Sequence, residues 1–380
     1  MKPGKCWSVQ ITQLNEPPVA AAENADNGNT RRPAENDFSK KVVFVPYFEG
    51  NPYQLTLMKK LLQQDIHVSA CSKLRHVPFF GDESPDAIHL HWLPSFKAGI
   101  RGRVKLFGFC FRLRLARLLG KKVVWTVHNL YSHEGSWRRG EKKLIRRVLN
   151  AATGVIVHSP IAGDLVNQEF SPKEPSKIVI IPHGHYVDSY PNLVSRDDAR
   201  KCLGISEGET VFLFLGLIRA YKGVDDLIDA FKHLDKKHTK LLIVGKPLDD
   251  ATVCILKERI GGDDRIDMRP GYVPDDELQT YFNASDAVVY PYKDVLTSGA
   301  LVLGMSFAKA CIAPRIGCIP DYLDADGAFL YDADSEGALS NALARAYDAK
   351  FTIRDMGQHN LRKARQWDWS TIALQTSQLY

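Results

Sequence analysis

The feature that most constrains this chain is an alternation that occurs twice. Short apolar runs of strand length are each followed by a stretch with apolar residues at helical spacing. The first series opens at Lys41 with KVVFVPYF and continues through NPYQLTLMKKLLQQ, IHVSACS, DAIHLHWL, a basic stretch at 97–119, KKVVWTVHN, a second basic stretch at 137–150, TGVIVHSP and KIVIIPHGHY. The second begins near Glu209 with TVFLFLGLI, VDDLIDAFKHL and KLLIVGK. It goes on through ATVCILKERI, RIDMRPG, DDELQTYFNAS, DAVVYPY, SGALVLGMSFAK and ACIAPRI. A strand joined to the next strand through a helix crosses over right-handedly, so the strands are parallel. Two such series predict an α/β chain of two Rossmann-like domains, with ligands at the carboxyl ends of the strands and the active site in the cleft between the domains. The expected boundaries are a disordered tail at 1–40, which is polar and aperiodic, domains at 41–190 and 191–355, and a helical end at 356–380 crossing back to the first domain.

Charge is unevenly placed. The chain of 380 residues carries a net +6, yet from Lys97 to Arg147 fifteen Lys/Arg face only Glu134 and Glu141. That segment is +13 and the remainder about −7, which points to an anionic partner for the segment. Its first part, 97–119, interleaves Arg and Lys with Leu, Phe and Ile. It reads either as a helix lying on an anionic membrane surface or as a solvated helix packed on its apolar side. No stretch is apolar for the length of a membrane span, and no secretory leader is read at the start. The seven cysteines are scattered and odd in number, which suits reduced thiols in a cytoplasmic enzyme.

Two loops in the second series carry chemistry. After TVFLFL come Gly216, Arg219 and Lys222, two cations on a strand-to-helix loop that suits a diphosphate. After DAVVYPY, which ends at Tyr292, Thr297, Ser298 and Gly299 open an apolar helix. Its free N–H groups suit an anion. The plainer alternatives are a solvated basic loop and simple helix capping. In the first series, polar residues gather at strand ends: His89, His91 and Trp92; His128, His133 and Glu134; His158; then His183, His185 and Tyr186. Seven of the twelve histidines fall in these segments, either as structural residues or as one edge of a cleft. His89 and His91 lack a third ligand at a persuasive spacing, so no metal site is expected.

These motifs together resemble a known family. FLGLIRAYKGVDDLIDAF, KLLIVGK, SDAVVYPY and SGALVLGMSFAKACIAP are similar to the C-terminal domain of the family-four glycosyltransferases. HLHW, TVHNLYSHE, PHGHY, GLIRAYKGV and PYKDVLTSGALVLGMSFAK resemble more closely the xanthan β-mannosyltransferase (GumI-like) group, from about residue 43 to the terminal WDW. The resemblance implies a GT-B fold and metal-independent hexosyl transfer from a nucleotide sugar, with no cofactor. It makes the first domain the acceptor side and the second the donor side. It also implies that Arg219 and Lys222 bind the donor diphosphate, with Gly216, Tyr292, Thr297, Ser298 and Gly299 around it. Gly50 and Asn51 in FEGNPY face donor and acceptor, with His89, Trp92, His183, His185 and Tyr186 also expected on the acceptor side.

One departure bears on mechanism. Retaining relatives carry two glutamates eight residues apart about the second loop, where this chain has Val295 and Leu303. Inversion is therefore expected, with GDP-mannose as donor and a β-linkage to a saccharide or lipid-linked acceptor in exopolysaccharide or cell-surface glycan synthesis. Inversion needs a general base. Glu134 ranks first, His128 second and His91 third. Glu134 reads equally as a helix-start carboxylate or a partner of Arg138. The expected location is the cytoplasmic face of the plasma membrane, bound peripherally through 97–119, with no nucleic acid. The competing readings are a retaining transferase using a UDP-sugar, a nucleotide-sugar epimerase, and a basic nucleic-acid-binding protein.

Overall fold

The structure, a computed structural model, describes residues 7–8, 38–132 and 138–380. The chain divides into two compact units. The first takes in the chain up to His158, Gly163–Pro182 and Trp369–Tyr380; the second takes in Ser159–Ala162 and His183–Asp368.

In the first unit the elements are β1 (Trp7–Ser8), β2 (Lys40–Val45), α1 (Pro52–Leu62), β3 (Ile66–Ala70), β4 (Ala87–Leu90), α2 (Ile100–Leu118), β5 (Lys122–Thr126), α3 (Arg138–Ala151), β6 (Gly154–Val157), α4 (Pro160–Phe170) and β7 (Ile178–Ile180). The sheet order is β1-β3-β2-β4-β5-β6-β7, parallel except for β1 at the edge. Val42–Val45, Ala87–Leu90 and Gly154–Val157 are buried without alternation, as strands covered on both faces must be. Helix α1 starts at Asn51, whose Oδ1 accepts from Gln54 N at 3.1 Å, followed by Pro52.

The second unit contains α5 (Arg196–Leu203), β8 (Thr210–Leu215), α6 (Val224–Lys232), β9 (Thr239–Gly245), α7 (Asp250–Ile260), β10 (Ile266–Pro270), α8 (Leu278–Ala284), β11 (Ala287–Val289), α9 (Gly299–Ser306), β12 (Ala310–Pro314), α10 (Ile319–Tyr322), β13 (Ala328–Tyr331), α11 (Ala338–Asp348) and α12 (Ile353–Ala364). All six strands are parallel in the order β10-β9-β8-β11-β12-β13. Phe212, Phe214, Leu227, Phe231, Ile243 and Ile312 fill the core between this sheet and its helices. The order in which successive strands are added reverses between β8 and β11. In the first sheet it reverses between β2 and β4. At such switch points neighbouring loops diverge and leave room for a ligand. The last helix, α13 (Trp369–Ser377), lies in the first unit and packs on α1.

Two boundaries differ from those expected. Residues 183–190 belong to the second unit: Tyr186 N donates to Ser306 Oγ at 2.9 Å and His183 N to Tyr322 Oη at 3.3 Å. Residues 356–368 also stay there. Buried Asn360 on α12 donates through Nδ2 to Lys309 O at 2.9 Å and Gly327 O at 2.8 Å.

One buried charge ties α5 to the sheet. Arg200 Nη2 meets Asp286 Oδ2 at 2.8 Å, Nε donates to Ala284 O, and Nη1 donates to the carbonyls of Ser206, Glu207 and Glu209. Asp286 also accepts from Val211 N and from the more exposed Arg196. Removing the guanidinium leaves Asp286 with Arg196 and Val211 N but takes the donor from four carbonyls at once, so Arg200→Ala should cost about 3–5 kcal/mol in urea unfolding. Arg196→Ala should cost under about 1 kcal/mol. Equal effects would contradict this account.

Candidate donor site at the switch point of the second sheet

The loops after β8 and β11 flank the switch point, and two glycines let them close on it. Gly245, at φ +143°, ends β9 so near the next strand end that a Cβ there would lie 1.8 Å from Gly216 O. Gly223, at φ +65°, begins α6, and a Cβ there would lie 1.9 Å from Pro291 O. No side chain fits either position. Lys222, immediately before Gly223, is thereby held with Nζ 5.4 Å from the Tyr292 ring centroid. Among the described residues no carboxylate or carbonyl receives a hydrogen bond from this ammonium. Burial first, and Arg219 second, push its pKa down to about 8. Arg219 lies beside it, half-buried, with Nη1 donating to Ile218 O at 2.9 Å.

From Tyr292 the contacts run to the start of α9. Tyr292 Oη is 3.1 Å from Ser298 Oγ, which caps the helix by accepting from Leu301 N at 3.1 Å. Thr297 Oγ1 is 3.7 Å from Cys318 Sγ. A Cβ on Gly299 would lie 3.2 Å from Tyr186 Oη and 3.5 Å from His183 Nε2. Ser298 does cap its helix, yet the backbone N–H groups of the first turn remain aimed beyond it. A buried ammonium, a guanidinium and a helix start at one sheet edge form a cradle for a diphosphate.

The structure thus gathers Gly216, Arg219, Lys222, Tyr292, Thr297, Ser298 and Gly299. It adds His183 and Tyr186, which the sequence reading had assigned to the acceptor side. His183 Nδ1 donates to Gly184 O at 2.9 Å, which turns Nε2 toward the α9 start. His185 is in the second unit too, its N donating to Trp367 O at 3.3 Å. Gly245 went unnoticed in the sequence, although it follows KLLIV just as Gly216 follows TVFLFL.

In the first unit the histidines form a buried cluster. His89 is fully buried, with Nδ1 2.6 Å from Tyr380 Oη and Nε2 2.7 Å from Thr126 Oγ1. His91 is stacked on it at 4.3 Å and bonds His128 Nε2 through Nδ1 at 3.3 Å. Tyr53 sets its ring edge against His91, His128, His158 and Trp369. Burial lowers the pKa of His89 to about 3 and of His158 to about 4, and holds His91 well below its ordinary value. His89 is therefore an interior residue and is withdrawn from the acceptor surface. His91 is withdrawn as a base, since a base must reach the acceptor proton with a pKa near the working pH. His128 is 8% exposed at the rim of the cluster, with Trp92 stacked on it at 4.4 Å. Gly50 is exposed, whereas the Asn51 side chain is spent on capping α1. His133 and Glu134 lie outside the described residues. The one metal-like group among the described residues is Asp324, Asp326 and His359, already paired by Lys363 and His359 contacts to Asp324.

The depressed Lys222 pKa gives a direct test. A diphosphate is held by the protonated ammonium, so affinity for GDP should be constant below about pH 8 and fall up to tenfold per unit above it. Lys222→Arg should flatten that fall, because guanidinium stays charged. Titration calorimetry from pH 7 to 9.5 measures both; a flat wild-type profile contradicts the assignment.

Comparison with known proteins bears on the family and the fold. Residues 195–364 match the family "Glycosyl transferases group 1" and residues 42–188 match "Glycosyltransferase Family 4". A GDP-mannose:glycolipid 4-beta-D-mannosyltransferase of Xanthomonas campestris pv. campestris is 29% identical over 278 residues, 68% of this chain and 70% of that protein. Among solved structures, sucrose-phosphate synthase from Thermosynechococcus elongatus has a TM-score of 0.68 at 18% identity, covering 90% of this chain and 98% of that one. Anabaena HepE, solved in complex with UDP-glucose, has a TM-score of 0.67 at 16% identity, covering 89% and 98%. The readings as an epimerase or a nucleic-acid-binding protein give way to these matches. With a family 4 domain followed by a group 1 domain, the chain is a glycosyltransferase of the GT-B fold.

Proposed function

We propose that this glycosyltransferase moves mannose from GDP-mannose with inversion, forming a β-linkage to a saccharide or lipid-linked acceptor in exopolysaccharide or cell-surface glycan synthesis. The observation that carries the reading is the cationic cradle of Lys222, Arg219 and the α9 start. It suits a nucleoside diphosphate leaving group without calling on a metal. The choice of GDP-mannose rests on the 29% identity to the Xanthomonas enzyme. The choice of inversion rests on Val295 and Leu303, where retaining relatives have glutamates. Leu303 is buried in α9, a position suited to hydrocarbon rather than to a carboxylate facing a sugar.

In the proposed reaction the acceptor oxygen attacks C1 of the sugar from the face opposite the diphosphate. The new C–O bond forms as the bond to the β-phosphate oxygen breaks. The acceptor proton goes to a general base, Glu134 first and His128 second, and the electron pair leaves on GDP. Donors on Lys222 and Arg219 take up that charge.

Peripheral contact with the cytoplasmic membrane face is part of the same reading. No described helix is long and apolar enough to cross a membrane. Helix α2 buries one face through Gly102, Leu106, Leu113 and Ala116, yet it also exposes Ile100, Val104, Phe107, Phe111 and Leu118. At 3.6 residues per turn these five fall within an arc of about 60° on the opposite side. Arg101, Arg103, Lys105 and Arg114 flank it, the arrangement of an interfacial helix.

Time-resolved proton NMR of slow GDP-mannose hydrolysis, with water as acceptor, tests the stereochemistry. Inversion releases β-mannose first; initial α-mannose would establish the retaining alternative. In the same assay Glu134→Gln should slow release by a factor of about 10²–10⁴ with GDP binding kept. Full activity would move the base to His128.

A further inference from the structure

Beside α2 the first unit holds a cavity of about 600 Å³ that none of the chemistry above uses. Its walls come from three separate segments: Arg114 and Arg117 from α2, Arg147 from the end of α3, and Lys173 and Lys177 from the turn before β7. The only carboxylate in the lining is Glu174, and Lys177 already pairs with it at 2.7 Å. Among the described residues Arg114, Arg147 and Lys173 have no carboxylate partner. Five cations against one acid around one cavity repel each other, and a bound anion relieves that repulsion. Guanidinium and ammonium donors from three directions match the oxygens of a phosphate.

A second observation says what kind of phosphate. Leu118 lines the cavity and is also the last member of the exposed apolar row on α2, being 84% exposed. The cationic cavity and the hydrocarbon strip are therefore continuous. A free phosphate would use only the cavity, and a polynucleotide would leave Phe107 and Phe111 facing water. A lipid with an anionic phosphate head group uses both: its head enters among the cations while the strip lies against the acyl layer.

We propose that this cavity is a binding site for the phosphate head group of an anionic membrane lipid. The inference rests on the membrane contact proposed above and deepens it, since three of the five cations lie outside α2. The test is flotation of the full chain with vesicles of phosphatidylglycerol and phosphatidylcholine, and with phosphatidylcholine alone. Wild type should bind the first and not the second. R147Q/K173Q/K177Q, with Arg147 and Lys173 exposed and Lys177 half-buried beside Glu174, should weaken binding by about a hundredfold, at roughly fivefold per cation. F107S/F111S reports separately on the apolar strip. A triple variant that binds as wild type overturns the head-group site while leaving the membrane reading intact. Wild type that ignores phosphatidylglycerol vesicles overturns both. Release of wild type by inorganic phosphate, or by single-stranded RNA, at matched phosphate concentration would overturn the assignment to lipid.

Discussion

The proposed donor site depends on backbone packed where no side chain fits. Gly245 lies against the carbonyl of Gly216, and Gly223 against that of Pro291. These two contacts draw the ends of β8, β9 and β11 together. They set Lys222 over Tyr292, and Tyr292 in turn reaches Ser298 at the start of α9. The consequence is electrostatic. An ammonium is held half-dry with a tyrosine ring and a second cation for company, and its pKa falls to about 8. A diphosphate placed there supplies the missing negative charge, so binding offsets a desolvation cost that the folded chain already carries.

Much of this was legible in the sequence because parallel sheets leave a strong signature. KVVFVPYF, TVFLFLGLI and KLLIVGK are unbroken apolar runs, and strands covered on both faces must be so. The loops proposed to hold the donor stood out because each follows such a run directly: Arg219 and Lys222 after β8, Ser298 and Gly299 after β11. What escaped was weaker in local pattern. Strand β13 is only four residues between polar stretches, and the polar residues 332–337 separate it from α11. The assignment of 183–190 failed because sequence order placed it after the first series. Tyr186 and His183 are instead tied by hydrogen bonds to Ser306 and Tyr322, more than a hundred residues away.

The histidines show the limit of reading polar residues at strand ends. Sequence alone could not separate His89, His91 and His128, which share the same kind of position. Burial separates them. His89 is locked between Thr126 and Tyr380, His91 is covered by His89, Tyr53 and His128, and only His128 reaches the rim. The partners that decide this, Tyr380 and Trp369, come from the end of the chain, beyond the reach of any local motif. The basic helix α2 shows the opposite case. Its charge was plain, but its two apolar faces became distinct only once the buried one was known.

The measurement that bears most directly on the donor-site assignment is a crystal structure of the full chain with GDP. The account places the diphosphate in the second unit, with phosphate oxygens within hydrogen-bond distance of Lys222 Nζ and the Arg219 guanidinium and against the backbone N–H groups that open α9. A diphosphate seated elsewhere, for instance among Arg114, Arg147 and Lys173 of the first unit, with Lys222 still unpartnered, would contradict it.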